Sequence, residues 1–186
     1  MIDIVEGFED MVIYDDAKCA FKGELLLYLA KKHDLHTFVE TGTYAGEMVK
    51  YVNARYNFDR IYSIELSERL AARADKLFQD ASNVFIIHGA SEESLKGIRQ
   101  TEPFLYWLDA HYCGDDVTAM GEKITPVYEE LEVILNETDH VIVIDDLDNF
   151  HTWGVYGRQL AEFIKSKKDV ELSVVDTMLI IQPRKI

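Results

Sequence analysis

Proline and cysteine are scarce, at three and two residues in a chain of 186. No Ser/Gly-rich or low-complexity stretch marks an interdomain linker. Residues 1–186 therefore read as one domain, at a length that suits one full hydrophobic core. Cys19 and Cys113 match no paired metal-ligand spacing and are too few for a disulfide framework. A reducing, cytoplasmic compartment is the expectation. Long apolar runs are missing as well. The longest, such as Leu25 to Ala30 and Val141 to Ile144, fall far short of the ~20 residues that cross a bilayer, so no membrane partner is expected. Met1 to Asp10 carries acidic residues and lacks a basic start followed by an apolar run, so it does not read as a secretory signal. Basic residues are outnumbered, 19 Lys and Arg against 34 Asp and Glu, for a formal charge of −15. Such a surface repels phosphate backbones, and nucleic acid is not an expected partner. No repeat occurs at solenoid spacing.

What is present is ordinary for a folded globular chain: 48 % apolar and 28 % charged residues, a balance that excludes disorder. Phe21, Leu25, Tyr28 and Leu29 recur at helical spacing and predict a helix over about Ala17 to His33, with lysines near its end. Short apolar runs then alternate with helical patterns. His36 to Glu40, Ile61 to Ile64, Val84 to Ile87, Phe104 to Leu108 and Val141 to Ile144 read as strands. Ser67 and Ser91 are candidate helix caps, and Thr125-Pro126 reads as a helix start with a capping hydroxyl and a proline in the first turn. Strands that alternate with helices imply a parallel sheet covered on both faces. The ending differs. Val170 to Val175 and Met178 to Ile181 are separated by Asp176-Thr177 alone, too short for a helical crossover, so they must form an antiparallel hairpin. The expected fold is α/β: a Rossmann-like doubly wound sheet of seven strands, mostly parallel, with a C-terminal antiparallel hairpin.

Five segments that carry chemistry fall at or after the ends of the first five strands. Glu40-Thr41-Gly42-Thr43-Tyr44-Ala45-Gly46 places glycines where the backbone can approach a ligand and where a helix offers free N–H groups. A dinucleotide loop wants G-x-G-x-x-G, whereas Tyr44 stands at the second glycine and the pattern is E-x-G-x-x-x-G. Glu65 ends the second strand, 25 positions after Glu40, where an acid can accept the hydroxyls of a ribose. His88-Gly89-Ala90-Ser91 follows the third strand. Trp107-Leu108-Asp109-Ala110-His111-Tyr112 and Ile144-Asp145-Asp146 follow the fourth and fifth. In open α/β sheets ligands bind beyond the carboxyl ends of the strands. Asp109, His111, Asp145 and Asp146 would crowd that rim and repel one another unless a cation or proton neutralises them. Carboxylates with an imidazole suit Mg²⁺, Mn²⁺ or Ca²⁺.

These segments, in this order and with the terminal hairpin, resemble the class I S-adenosylmethionine-dependent methyltransferases from about Phe21 to Pro183. The pair of strand-end acids is similar to that of metal-dependent O-methyltransferases of the catechol type. The resemblance implies S-adenosyl-L-methionine as cofactor, held by Glu40, Thr41, Gly42, Thr43, Tyr44, Gly46, Glu65, Leu66, Gly89, Ala90, Ser91 and Asp109. It implies a divalent cation such as Mg²⁺ on Asp109, Asp145 and Asp146, with His111 as an extra ligand or a general base and with Asp109 and His111 as the catalytic pair. His151, beside Trp153 and Tyr156, is a second candidate proton acceptor. The family often has an acid where this chain has Ala90, so a backbone group or Ser91 would have to contact the adenine. The expected partner is a small-molecule methyl acceptor, and related enzymes can be dimers, which makes a homodimer an expectation too. Two other classes stay open: a nicotinamide-dependent oxidoreductase, against which Tyr44 argues, and a nucleoside-binding module without turnover.

Overall fold

Alternation of apolar residues along short strands builds the two faces of one sheet. In β1 (Thr37–Thr41), β4 (Leu105–Leu108) and β5 (Val141–Ile144) every residue is buried, as strands covered on both sides require. Phe38, Leu105, Trp107, Val141 and Val143 point to one face, where they meet α1 (Ala17–His33), α2 (Glu47–Arg55) and α3 (Glu68–Leu77). Val39, Tyr106, Leu108, Ile142 and Ile144 point to the other, against α4 (Ser91–Gly97), α5 (Val127–Ile134) and α6 (Gly157–Lys167). The period of two along each strand thus sorts one chain into two cores. The remaining strands are β2 (Arg60–Glu65), β3 (Val84–His88), β6 (Val170–Val175) and β7 (Met178–Pro183). This computed structural model describes residues 17–112, 119, 121–135 and 138–184. Cys113 and the segment from Met1 to Asp10 lie outside them.

The seven strands run in the order β3-β2-β1-β4-β5-β7-β6. β1 pairs in parallel with β2 and β4, and β7 runs antiparallel between β5 and β6. The expected Rossmann-like sheet with its terminal hairpin is therefore present. The hairpin turn is made by Asp176, in the left-handed region at φ 52°, and Thr177. Among the described residues no helix is long and apolar enough to cross a membrane.

Local signals succeed and fail for identifiable reasons. Ser67 caps α3, its hydroxyl accepting from the Leu70 amide at 3.4 Å. Ser91 does not cap α4: Ala90 holds the cap position and Ser91 is the first helical residue, its side chain buried. Likewise Pro126, not Thr125, stands at the cap of α5. The segment after β5 contains a 3₁₀ turn, Phe150–Trp153, that a purely α-helical periodicity does not reveal.

Candidate active site

The strand order reverses between β1 and β4, and the chain connections leave in opposite directions from these neighbours. A crevice opens at such a switch point. The structure has a cavity of about 1140 Å³ there. It is bordered by the Gly42, Gly89 and Asp109 segments and, at one end, by Lys22, Asp145 and Asp146.

The β1–α2 loop forms its floor. Gly42 has φ +87°, and a Cβ on it would lie 2.6 Å from the Asp109 carbonyl oxygen, so both conformation and space require glycine. Its amide donates to Ile64 O at 2.8 Å, while Thr41 O accepts from the Asp109 amide at 3.1 Å. The loop, β2 and β4 are thereby locked together at the crevice. Of the residues expected to bind cofactor, Gly42, Tyr44, Glu65, Leu66, Gly89, Ala90, Ser91 and Asp109 line the cavity. Glu40, Thr41, Thr43 and Gly46 are not among its lining residues and act from behind it. Thr43 donates to the Ser63 hydroxyl at 2.6 Å, and Ser63 in turn donates to the Glu40 carboxylate. Burial pushes the Glu40 carboxyl up to about 8, aided by Asp109 and Glu65 and opposed by the Ser63 bond. Gly46, at φ 77°, is the cap of α2.

Glu65 is held by two backbone amides. One carboxylate oxygen accepts from the Tyr44 amide at 2.9 Å and the other from the Ser67 amide at 2.8 Å. Each oxygen keeps a further lone pair for an incoming hydroxyl. Beyond Ala90, Ser91, Glu92 and Glu93 line the cavity.

At the other end His111 sits between two carboxylates. Its Nδ1 is 3.3 Å from Asp109 Oδ1 and its Nε2 is 3.3 Å from Asp146 Oδ2. Its ring stacks on Trp153, with centroids 4.5 Å apart. Burial alone lowers the His111 pKa, but the Asp109 hydrogen bond and the charges of Asp109, Asp146 and Asp145 outweigh it, and the net shift is upward. The Asp109 carboxyl is also raised, by burial first, with His111 opposing. Asp146 has φ +55°, a strained backbone of the kind found at functional sites.

Sequence reasoning missed Lys22. It lies on α1, lines the cavity, pairs with Asp145, stands 3.8 Å from Asp146 and faces the Trp107 ring at 5.9 Å. Asp145 is consequently engaged. Thr177 also reaches its other oxygen, at 3.4 Å. Among the described residues, the side chains that could surround one ion are Asp109, His111 and Asp146, whose ligand atoms lie within 4.8 Å of one another. This group shares Asp109 and Asp146 with the set expected from sequence and includes His111, while Asp145 pairs with Lys22. His151 is exposed on the 3₁₀ turn and does not line the cavity, so it is poorly placed to take a proton there.

The fold is that of the class I methyltransferases. A methyltransferase from Podospora anserina, PaMTH1, bound to S-adenosylhomocysteine, superposes with a TM-score of 0.65 at 17 % identity over 92 % of this chain and 83 % of that one. The O-methyltransferase TomG from Streptomyces achromogenes, involved in tomaymycin synthesis and complexed with S-adenosylmethionine, gives 0.65 at 18 % over 99 % and 92 %. An O-methyltransferase from Bacillus cereus with S-adenosylhomocysteine gives 0.62 at 17 % over 94 % and 84 %. No family model and no curated protein matches the sequence.

Proposed function

We propose that the protein is an S-adenosylmethionine-dependent methyltransferase acting on an oxygen of a small molecule. The observation that carries this reading is the single crevice with an anchored ribose acceptor, Glu65, at one end and the Asp109–His111–Asp146 group at the other. Its volume of about 1140 Å³ holds a nucleoside cofactor and leaves room for a modest acceptor. Its acidic lining supports an acceptor other than nucleic acid. The cofactor supplies an electrophilic methyl group. Glu65 would accept from the ribose hydroxyls of a bound cofactor, and the Gly42 loop would let the backbone come close. In its neutral form, with one ring nitrogen turned from its carboxylate neighbour to the acceptor, His111 would take the proton of an acceptor hydroxyl during methyl transfer. The carboxylates of Asp109 and Asp146 stabilise the resulting imidazolium and orient the ring.

Alternatively, Asp109, His111 and Asp146 would hold a divalent ion of the Mg²⁺ type, which would lower an acceptor hydroxyl's pKa in place of a histidine base. Lys22 keeps Asp145 out of that set. Isothermal titration with S-adenosylhomocysteine, with and without Mg²⁺, tests the reading: one-to-one micromolar binding is expected. Absence of binding by a folded protein refutes it.

A further inference from the structure

Three buried polar atoms without a normal hydrogen bond gather beneath the cavity, where Glu130 also borders a small void together with Asp109, His111 and Asp145. The three atoms are Thr41 Oγ1 at the end of β1, Ser91 Oγ at the start of α4, and Glu130 Oε1 on α5. Their residues are 0 %, 6 % and 1 % exposed. Both hydroxyls face the Glu130 carboxyl group closely enough to favour its charged form, although neither completes a bond of good geometry. Three separate elements have thus brought polar atoms into an apolar interior, where each costs free energy unless it is paired.

Their positions connect this cluster to the site. Thr41 directly precedes Gly42, and its carbonyl holds the Asp109 amide. Ser91 itself lines the cavity, as do Pro126 and Glu129 at the start of α5. We propose that Glu130 is a positioning residue of the nucleoside end: its carboxyl group joins Thr41 to Ser91 and so fixes the two loops between which an adenosine would lie. The naming of the occupant rests on the methyltransferase reading; the tethering of the loops does not.

The hydrogen inventory fits a neutral acid. A protonated carboxyl donates once and accepts once or more, so it closes a chain with two hydroxyls, each donor and acceptor. An ionised carboxyl only accepts. The surroundings favour the neutral form: burial pushes Glu130 up to about 7, Glu92 on α4 and Glu129 on α5 push the same way, and the Ser91 and Thr41 hydroxyls oppose them. Lys123, the cation near this end, is already paired with Glu129.

Glu130→Gln keeps one donor and one acceptor and cannot ionise; Glu130→Ala removes both. The test measures amide hydrogen exchange of segments 42–46 and 89–95 in the free protein, near pH 6 and pH 8.5, corrected for intrinsic rates. S-adenosylhomocysteine titration accompanies it. In the wild type, protection of both segments falls at the higher pH. Affinity falls by up to about thirtyfold, the loss of neutral form for a group titrating near 7. Glu130→Gln shows neither Glu130-dependent loss, which separates it from the titration of Glu40. Glu130→Ala is unprotected at both values. An identical pH response in wild type and Glu130→Gln, or normal protection in a folded Glu130→Ala, overturns the proposal. Exchange that follows the prediction in a protein that binds no S-adenosylhomocysteine supports the tether and refutes the methyltransferase reading instead.

Discussion

Replacing Lys22 with methionine keeps most of the side chain's apolar stem and removes the charge that faces Asp145. The Asp145 side chain is 2 % exposed and that of Lys22 18 %. Even with Lys22 present, burial and the charge of Asp109 raise the Asp145 carboxyl from 3.8 to about 6. Holding it ionised in the fold therefore already costs about 3 kcal/mol. In Lys22→Met that carboxylate loses its ammonium partner. Removing one member of a buried pair costs about 3–5 kcal/mol, and the partial exposure of Lys22 puts this case near 3 kcal/mol. The sign with pH follows from the raised folded pKa. Below the unfolded value of about 3.8 the acid is neutral in both states and the variant loses little. The penalty grows as pH rises through the folded pKa, which lies above 6 once Lys22 is gone. Urea unfolding near pH 5 and pH 8 should give a small difference from wild type at the lower value and the full difference at the higher. The double variant Lys22→Met/Asp145→Asn removes the ionisable group and should recover most of the loss near pH 8. An equal loss at both pH values, or no recovery in the double variant, would refute the assignment of Lys22 as the counter-charge of Asp145.

Two further substitutions test the cofactor end. Gly42→Ala adds a Cβ 2.6 Å from a backbone oxygen at φ +87°, so it should destabilise the fold by about 1–3 kcal/mol and abolish tight S-adenosylhomocysteine binding; a thermal melt and a titration read the two effects, and wild-type behaviour in both would contradict the close packing of β1 on β4. Glu65→Ala should weaken S-adenosylhomocysteine by about 1–3 kcal/mol because the ribose loses a charged acceptor, and unchanged affinity would remove Glu65 from the site.

Much of the fold was legible because it follows from short-range patterns. Helix α1 has the bounds that its apolar spacing predicts, Ala17–His33. The two-residue gap at Asp176-Thr177 dictates a hairpin by chain length alone. Caps were less legible: a serine or threonine near a helix start satisfies the local rule whether or not the chain turns one residue later, as Ser91 and Thr125 show. The site was legible where it is contiguous. The run from Glu40 to Gly46 reads as one binding loop, yet only Gly42 and Tyr44 of it line the cavity. Lys22 and Glu130 were not legible. Lys22 meets Asp145 across 123 positions. Glu130 sits in the acidic run Tyr-Glu-Glu-Leu-Glu, where a buried glutamate and a solvated one look alike. Only tertiary packing distinguishes them.

Glu40 offers a test that separates a cationic ligand from a neutral one. Its carboxyl, 2 % exposed, is raised to about 8 by burial, so near pH 7.5 most molecules carry it protonated. A ligand that brings positive charge to the crevice favours the carboxylate and lowers that pKa, and binding then releases a proton. S-adenosylmethionine carries a sulfonium charge that S-adenosylhomocysteine lacks, so the former should release more. Full ionisation of Glu40 near pH 7.5 frees at most about 0.8 proton per site, the fraction protonated at half a unit below the pKa. Titrations of each ligand in two buffers of different ionisation enthalpy measure the release directly. Glu40→Gln should abolish the difference between the ligands while its neutral amide still accepts the Ser63 hydroxyl. If the two ligands release equal numbers of protons in the wild type, the Glu40 carboxyl does not sense the sulfonium. Its role is then confined to holding Ser63 and Thr43 behind the glycine loop.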